Sequence, residues 1–496
     1  MSRERATAEL GERRFDLLVI GGGIIGAGIA AHATRAGLAV ALVDRGDFAG
    51  ATSSSSSKLI HGGLRYLRLG DVRLVREAHH ERRALTNIVA PHLVHRTPFL
   101  LPLYEHGPFR PAFVQSGILV YSALALSRLN WLVKPARART MVPPLETSGL
   151  RSCALYADAW TNDARLCLAN VRAAADAGAT VANYAQVVEL DREAGRIAGA
   201  QVRLDGGTVA VRARAVVNAT GPWVDHVRRL EDASAGQSVR LSKGVHVLVP
   251  NEERWAAALT VPQDDVRVSF AVPWYGMLLL GTTDTEYDGD PGDVRVDPAG
   301  VDQVLREAQV ALGPELIARD RVRASFAGLR VLPAGAGESA NARRETVFTV
   351  GPGGMLSVAG GKLTTYRRIA LDALARLRSE LGLHRLDTRP WPLPDAPDHG
   401  VGLPVDVPPG VRDHLVHLYG RRAADVLRPA LADPALLEPL HPDGPDIAAQ
   451  ALYAREAEWA LNDEDVLWRR TTVAWRGLAP TSALREPPPR AIGSAR

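Results

Sequence analysis

Cysteine is scarce in this sequence, which contains only Cys153 and Cys167. Two cysteines exclude a framework of several disulfides, and they are typical of a protein from a reducing compartment. Neither cysteine has metal-ligand partners at a characteristic spacing, so no metal site is predicted and both are interpreted as structural.

The sequence also lacks a long apolar run. The first sixteen residues are charged and contain no apolar core of a signal peptide. The most apolar stretch of helical length, residues 117–126, is too short to span a bilayer. These two absences predict a cytoplasmic protein without a membrane-spanning helix.

Lysine is rare as well, because only four of the 59 basic residues are lysines. Three of them, Lys58, Lys243 and Lys362, lie within the motifs described below. A lysine retained among so many arginines reflects either a need for a compact ammonium group or chance, since only four lysines occur. The formal net charge of +4 suits an anionic substrate or an acidic membrane surface, although an arginine-rich composition also accounts for it. No nucleic acid partner is predicted.

A dinucleotide-binding fingerprint is the first positive signal. A short apolar run at residues 15–20 precedes a glycine-rich helix start, and a second apolar run ends at Asp44. Such glycines permit a tight turn that receives a pyrophosphate, and the acid accepts hydrogen bonds from ribose hydroxyls. The pattern predicts NAD or FAD, with NADP left open by Arg45. The predicted contacts here are Gly21, Gly23, Ile24, Ile25, Gly26, Asp44 and Arg45.

A serine-rich segment, ATSSSSSKLIHGG at residues 51–63, follows the second strand. A flexible linker at this position would interrupt a sheet that is still being built. The segment is therefore interpreted as a loop along the cofactor, with hydroxyl and backbone N–H donors, and this interpretation favours FAD. The contacts predicted in it are Thr52, Ser53, Ser54, Ser57, Lys58, His61, Gly62 and Gly63.

The same segment, followed by EAHHERRALTNIVAPHLV, resembles the FAD-dependent glycerol-3-phosphate dehydrogenase family, within the D-amino-acid-oxidase-like flavoproteins. Further motifs occur in the order of that family, so the resemblance extends over nearly the whole chain. They lie at residues 157–170, 216–225, 242–250, 271–291, 326–333, 356–370 and 463–471.

The resemblance implies an α/β fold with three parts. They are a Rossmann-like, D-amino-acid-oxidase-like FAD-binding domain, an antiparallel-sheet substrate domain, and a C-terminal helical domain with a proline-rich linker and a disordered tail. The expected boundaries are 14–105, 150–235 and 350–385 for the FAD-binding domain, 106–149 and 236–349 for the substrate domain, and 386–496 for the C-terminal domain.

The resemblance also implies further site residues. The added cofactor contacts are Ala219, Thr220, Gly221, Gly360, Gly361, Lys362, Leu363 and Thr364. Three departures from the family pattern occur: Ile25 replaces a usual Asn, Val331 replaces a usual Pro, and residues 341–347 leave the substrate arginine open between Arg343 and Arg344.

Oxidation of a phosphorylated alcohol needs a base for the hydroxyl proton and cations for the phosphate. Planar guanidinium groups match phosphate oxygens, and an imidazole titrates near neutral pH. His246 is favoured as the base, with His61 beside the flavin. The expected catalytic residues are His246, His61, Arg330 and Lys362, and the expected substrate contacts are Arg65, Tyr66, Arg330, Arg344 and Lys362.

The predicted function is oxidation of sn-glycerol 3-phosphate to dihydroxyacetone phosphate, with hydride transfer to FAD and onward electron transfer to a membrane quinone. Peripheral association with the cytoplasmic face of the membrane is expected, and homodimer formation is left open. The alternatives are an oxygen-dependent oxidase of glycerol 3-phosphate or of an amino or hydroxy acid, and a flavin-binding protein without turnover.

Overall fold

A computed structural model describes residues 3–63, 71–109, 114–115, 117, 121, 131–264, 267–335, 346–398 and 400–480. Four of the predicted substrate residues, Arg65, Tyr66, Arg343 and Arg344, lie outside these ranges. The predicted tail after residue 484 and most of the apolar stretch 117–126 also lie outside them.

Helices and strands alternate through the first half of the described chain, and helices dominate its last hundred residues. The helices are α1 Arg3–Glu12, α2 Ile24–Arg35, α3 Val72–Ala84, α4 Pro135–Met141, α5 Asp163–Asp176, α6 Val224–Glu231, α7 Pro298–Gln309, α8 Tyr366–Arg376, α9 Pro409–Tyr419, α10 Ala423–Leu427, α11 Ala448–Ala457 and α12 Asp463–Asp465. The strands are β1 Arg14–Ile20, β2 Val40–Val43, β3 Leu59–Ile60, β4 Val94–Tyr104, β5 Trp131–Val133, β6 Leu150–Thr161, β7 Thr180–Ala182, β8 Gln186–Glu193, β9 Arg196–Leu204, β10 Gly207–Asn218, β11 Val239–Pro250, β12 Ala258–Pro262, β13 Val268–Trp274, β14 Met277–Gly281, β15 Thr285–Tyr287, β16 Ala324–Pro333, β17 Thr346–Val350 and β18 Leu356–Gly360.

The first sheet has the order β17-β18-β10-β1-β2-β7, with β8 and β9 joined to it through β10. Its central strands β18, β10, β1, β2 and β7 are parallel. Apolar residues of α2, α5 and α8 cover one face, and residues of α1 and of β8 to β10 fill the core of the other. Burial on both faces explains why β1 and β2 read as continuous apolar runs. The predicted Rossmann-like fold is confirmed.

The second sheet has the order β15-β11-β14-β13-β12-β4-β6-β3, with β16 paired to β11 and β5 paired to β6. Its long pairs β4–β6 and β11–β16 are antiparallel. The strands β4 and β6 therefore belong to the same sheet as the strands of the predicted substrate domain, although the sequence assigns both strands entirely to the FAD-binding domain. Conversely, most of β17 was predicted to belong to the substrate domain, whereas this strand pairs with β18 in the first sheet. Sequence proximity suggested those boundaries, whereas strand pairing over long distances determines the sheets.

The helices after residue 408 pack around their own apolar core and dock on the first sheet through buried ion pairs. Asp47 accepts from Arg470 at 2.8 Å and also pairs with Arg469. Arg165 donates to both carboxylate oxygens of Glu458, at 2.7 and 2.8 Å. Desolvated charges need such partners, so these contacts fix the C-terminal helices against the rest of the chain.

The end of the C-terminal domain consists of short helical pieces. After α11 and α12 come a π-helical turn Val466–Arg470 and a 3₁₀ turn Ala474–Arg476. The side chain of Asn462 accepts from the N–H of Asp465 and caps α12. Both cysteines are buried, as expected for structural residues. Among the described helices, none combines the length and apolar character needed to cross a membrane.

The Arg165–Glu458 pair gives a stability prediction. We expect Glu458→Gln to lower the free energy of unfolding by about 3–5 kcal/mol, because it leaves the buried Arg165 without its counter-charge. Thermal unfolding followed by circular dichroism measures the change. The matched control is Arg151→Gln, which removes the exposed pair with Glu105 and is expected to leave the midpoint unchanged. Equal midpoints for both variants would contradict a docking role for the buried pair.

Candidate active site

One large cavity lies between the two sheets and has a volume of about 1620 Å³. This volume exceeds the roughly 300–1,000 Å³ of an ordinary small-molecule site, so the cavity can hold a dinucleotide together with a substrate. Most predicted site residues in the described ranges line it. They are Gly21, Gly23, Ile24, Ile25, Asp44, Arg45, Thr52, Ser53, Ser57, His61, Gly63, Ala219, Thr220, Gly221, His246, Arg330, Gly360, Gly361, Lys362, Leu363 and Thr364.

Four predicted cofactor contacts, Gly26, Ser54, Lys58 and Gly62, do not line the cavity. Gly26 instead lies so close to the turn that an added Cβ would be 1.9 Å from the carbonyl oxygen of Gly21. Gly62 donates its N–H to Asp158 and leaves no space for a Cβ beside His79. These residues shape the cavity from behind.

The fingerprint turn is held by Asp44, at the end of β2. Its carboxylate accepts from the N–H of Gly22 at 2.6 Å and from the N–H of Gly46 at 2.9 Å. Desolvation raises the pKa of Asp44 to about 6, so at neutral pH the group is still largely a carboxylate that can accept from hydroxyl donors. Gly21 has a φ of +106°, a conformation that side chains rarely adopt. The turn thus has the shape and the acceptor that a ribose and pyrophosphate require.

The serine segment is fixed by specific hydrogen bonds rather than free. Ser53 Oγ accepts from the N–H of Ile24, at the start of α2, at 2.9 Å. Thr52 Oγ1 donates to the carbonyl oxygen of Leu329 on β16 at 2.8 Å. A Cβ on Gly328 would be 2.1 Å from the carbonyl oxygen of Ser55, so glycine is required there. The segment therefore joins the fingerprint turn to the second sheet along the cavity.

His246 lies on β11, where it is buried and only 3% exposed. Its Nε2 and the Ser57 hydroxyl are 2.9 Å apart, and its ring stacks on Phe326 with centroids 4.7 Å apart. Burial, followed by the charges of Arg330 and Lys58, lowers the pKa of His246 well below the usual value. The imidazole is therefore neutral at neutral pH and can accept a proton.

Two glycines make space for the charged end of the cavity. A Cβ on Gly281 would lie 2.4 Å from the His246 ring, and one on Gly244 would lie 2.6 Å from the Arg330 guanidinium. Arg330 donates to Thr282 Oγ1 at 2.8 Å and pairs with Asp284 at 3.3 Å. Its guanidinium is thus oriented by the protein before any ligand binds.

The third part of the site is the turn between β18 and α8. Gly360 and Gly361 have φ values of +77° and +82°, and a Cβ on Gly361 would be 2.4 Å from the side chain of Ile369. Lys362 follows, and a 3₁₀ turn Leu363–Thr365 lies between it and α8. The exposed N–H groups of such a helix start favour negative charge at this wall of the cavity.

His61 lies beside this turn. The N–H of His61 donates to Thr364 Oγ1 at 3.1 Å, which joins the end of the serine segment to the start of α8. The structure therefore brings His61, His246, Arg330 and Lys362 to one cavity from four separate stretches of chain.

Several lining residues were not predicted. Tyr156 and Thr260 share a hydrogen bond of 2.6 Å between β6 and β12, and the C-terminal residues Glu464 and Arg469 reach the cavity from the far end of the chain. Trp223 lines it under the guanidinium of Arg45, at 4.6 Å. Trp223, Glu464 and Arg469 lie within the motifs at residues 216–225 and 463–471. No local motif marks Tyr156 or Thr260, because their places in the cavity depend on distant strand pairing.

Comparisons with known proteins define the class. A family model described as "FAD dependent oxidoreductase" matches residues 16–367. A second model, "C-terminal domain of alpha-glycerophosphate oxidase", matches residues 366–486. The chain belongs to the FAD-dependent oxidoreductase family, and the cofactor is FAD. The glycine turn, Asp44 and the cavity volume described above fit that cofactor.

Individual relatives define the family more narrowly. The chain is 37% identical to a glycerol-3-phosphate dehydrogenase of Mycobacterium leprae, over 95% of this chain and 83% of that protein. It is 37% identical to D-erythritol 1-phosphate dehydrogenase of Brucella abortus, over 92% of this chain and 94% of that protein. The structure of glycerol-3-phosphate dehydrogenase from Bacillus halodurans with FAD matches with a TM-score of 0.74 and 28% identity. The match covers 95% of this chain and 88% of that protein. The chain belongs to the FAD-dependent glycerol-3-phosphate dehydrogenase family.

The fingerprint turn gives a prediction for cofactor binding. We expect Gly26→Ala to be purified with little or no flavin, because the added Cβ collides with the backbone of Gly21. Flavin absorbance relative to protein measures the loss, and circular dichroism shows whether the fold persists. The control is Gly206→Ala, where a Cβ meets nothing within 4 Å. A folded Gly26→Ala protein with full flavin content would contradict the assignment of this turn to FAD.

Proposed function

We propose that this enzyme oxidises sn-glycerol 3-phosphate to dihydroxyacetone phosphate. The observation that carries the proposal is the convergence of a neutral, buried imidazole and two cations on the FAD cavity. His246, Arg330 and Lys362 all line this cavity, on β11, β16 and the turn before α8. A secondary alcohol next to a phosphate needs this combination of a base and positive charge.

His246 acts as the base through Nε2. In the tautomer that carries its proton on Nδ1, the lone pair of Nε2 accepts from the hydroxyl of Ser57. The substrate proton then reaches Nε2 through this hydroxyl, which gives its own proton to Nε2 and takes the proton of the substrate hydroxyl. The stacked ring of Phe326 and the space over Gly281 hold the imidazole in this orientation. Flavin, when bound, supplies the hydride acceptor for the carbinol carbon.

Arg330 and Lys362 bind the phosphate. Arg330 is already oriented by Thr282 and Asp284, so little side-chain freedom is lost on binding. Lys362 is only 7% exposed, at a wall of the cavity where the start of α8 also favours an anion. Arg65, Tyr66 and either Arg343 or Arg344 remain predicted substrate contacts in addition.

A quinone is the proposed electron acceptor. The cavity has an apolar part, which the flat, apolar ring of a quinone would fit better than a polar product would. Its lining residues include Phe99, Leu101, Phe109, Val114 and Phe270. Peripheral attachment to the cytoplasmic face of a membrane would give access to such an acceptor, and a homodimer is part of the same proposal.

A longer polyol phosphate is the second candidate substrate. It is favoured by the similarity to D-erythritol 1-phosphate dehydrogenase, which the chain matches over 94% of that protein's length. Such a substrate carries the same phosphate and an oxidisable hydroxyl, so the same cations and base would serve it.

Anaerobic reduction of the bound flavin tests the substrate. We expect glycerol 3-phosphate to bleach the flavin absorbance of the purified holoenzyme at least about ten-fold faster than D-erythritol 1-phosphate, a difference of about 1.4 kcal/mol in barrier. Glycerol and D-alanine, which lack the phosphate, should not bleach it. Faster bleaching by D-erythritol 1-phosphate would favour the second candidate substrate. Bleaching by D-alanine would favour an amino-acid oxidase. If none of these compounds bleaches the flavin, the chain would be a flavin-binding protein without turnover. Reduction of a quinone analogue, compared with peroxide formation in air, then identifies the acceptor.

The role of His246 gives a separate prediction. We expect His246→Gln to retain flavin but to reduce the rate of flavin reduction by about 10²–10⁴-fold, the usual contribution of a positioned base. Stopped-flow absorbance measures that rate. The control is His80→Gln, at a side chain that is 60% exposed. A near-normal rate for His246→Gln, together with a collapse in His61→Gln, would assign the base to His61 instead.

A further inference from the structure

Lys58 is a buried cation at the rear of the active site. Its side chain is 1% exposed, and its Nζ donates to the carboxylate of Asp163 at 2.6 Å and to the carbonyl oxygen of Ser54 at 2.9 Å. Burial of an ammonium group without partners costs free energy, because the group loses its hydrogen bonds to water. The surrounding groups therefore have to replace those interactions.

Aromatic rings supply the rest of that compensation. The Nζ of Lys58 lies 4.3 Å from the ring centroid of Trp475, 5.0 Å from that of Trp274 and 5.2 Å from that of Phe326. Distances below about 6 Å are those of cation–π attraction, which is strongest for desolvated cations. We name the three rings the aromatic cage. Trp475 is its C-terminal wall, within the part of the chain matched by the second family model.

The ion pair also fixes the serine segment. The second carboxylate oxygen of Asp163 accepts from the N–H of Ser56 at 3.0 Å and from its hydroxyl at 2.7 Å. The hydroxyl of Ser56 in turn accepts from the N–H of Lys58. Ser57, between these two anchored residues, is thereby held with its hydroxyl 2.9 Å from Nε2 of His246.

A second route leads from the cage to the same imidazole. Phe326 lies opposite His246 in the pairing of β16 with β11, and the two rings are parallel within 5°. The ring of Trp475 packs edge to face against the ring of Phe326, with centroids 5.1 Å apart. The position of His246 thus depends on Trp475 through Phe326 and through the Lys58-anchored segment.

We propose that Trp475 and Lys58 are positioning residues for His246, so that the C-terminal domain completes the active site by closing the cage around a buried ammonium group. The inference rests on the proposed function in that it takes His246 as the base. It also explains why a lysine is kept here in a chain dominated by arginine, because the cage encloses a compact cation that donates to one carboxylate and one carbonyl.

The charged groups around His246 decide the expected pH dependence. Arg330 faces it from β16 and Lys58 from the serine segment, and each is paired with a carboxylate, Asp284 or Asp163. Burial and these two cations keep the imidazole neutral, so the acid limb of flavin reduction lies below its usual pKa of about 6.5. Opening the cage admits water, which raises the pKa of His246 towards the usual value and moves the acid limb to higher pH.

The test compares the pH profiles of flavin reduction in holoenzyme variants. We expect Trp475→Leu to keep its flavin, to reduce at least about ten-fold more slowly, and to show an acid limb at higher pH than the wild type. Trp475→Phe, which restores an aromatic wall, should recover most of both changes. Lys58→Met should also move the acid limb upwards, since a nearby positive charge is removed.

The matched control is Tyr453→Leu, at a buried aromatic residue in the core of the same C-terminal domain. It is expected to lower the unfolding midpoint while leaving the pH profile unchanged. If Trp475→Leu and Tyr453→Leu have the same profile, or if Trp475→Phe recovers nothing, the positioning role is refuted.

A readout without turnover separates this proposal from the proposed function. Histidine-labelled protein gives the pKa of His246 by NMR, with the resonance assigned from its loss in His246→Gln. A raised pKa of His246 in Trp475→Leu supports the positioning role even if glycerol 3-phosphate fails to reduce the wild-type flavin. That failure would contradict only the proposed function. An unchanged pKa, with normal reduction of the wild type, would overturn the positioning role alone.

Discussion

The carboxylate of Asp163 is buried against the ammonium group of Lys58, at the point where the serine segment, the first turn of α5 and the second sheet meet. Neither charge would be stable there alone, because desolvation of a single ion outweighs most packing gains. Their pairing fixes the position of a backbone segment that touches both sheets. This pair therefore fixes the part of the cavity wall that carries Ser56 and Ser57.

The two ends of the cavity are built by different means. At the dinucleotide end, backbone N–H groups and glycines close in sequence do most of the work, with Asp44 as the main side-chain acceptor. At the reacting end, side chains from distant strands converge, and glycines such as Gly244 and Gly281 supply the space they need. Backbone elements provide a rigid and general cofactor site, whereas separate side chains allow the chemistry to vary on one fold.

This division also explains what could be predicted from the sequence. The fingerprint and the serine segment could be predicted because their physical requirements, tight turns and small side chains, are local. The Gly360–Lys362 turn was predicted from the family resemblance. The partners of those elements could not be found in this way. Nothing near Lys58 in the sequence indicates Asp163 or Trp475, and nothing near Arg330 indicates Asp284. The sheet to which a strand belongs could not be predicted for a related reason. The sequence places β4 and β6 in the FAD-binding domain, but β4 pairs with β12 and with β6 in the second sheet.

The C-terminal helices are part of the site rather than an addition to it. The model of the FAD-dependent oxidoreductase family ends at residue 367, yet three groups beyond that point act on the cavity. Arg470 and Arg469 neutralise the buried Asp47, in the loop that follows the fingerprint acid, and Trp475 closes the cage around Lys58. Removal of these helices would leave the buried Asp47 and Arg165 without their counter-charges and Lys58 without one wall of its aromatic cage. In this chain the loop that follows the fingerprint acid is therefore held by charges of the C-terminal domain, which is the physical basis for treating that domain as part of the site.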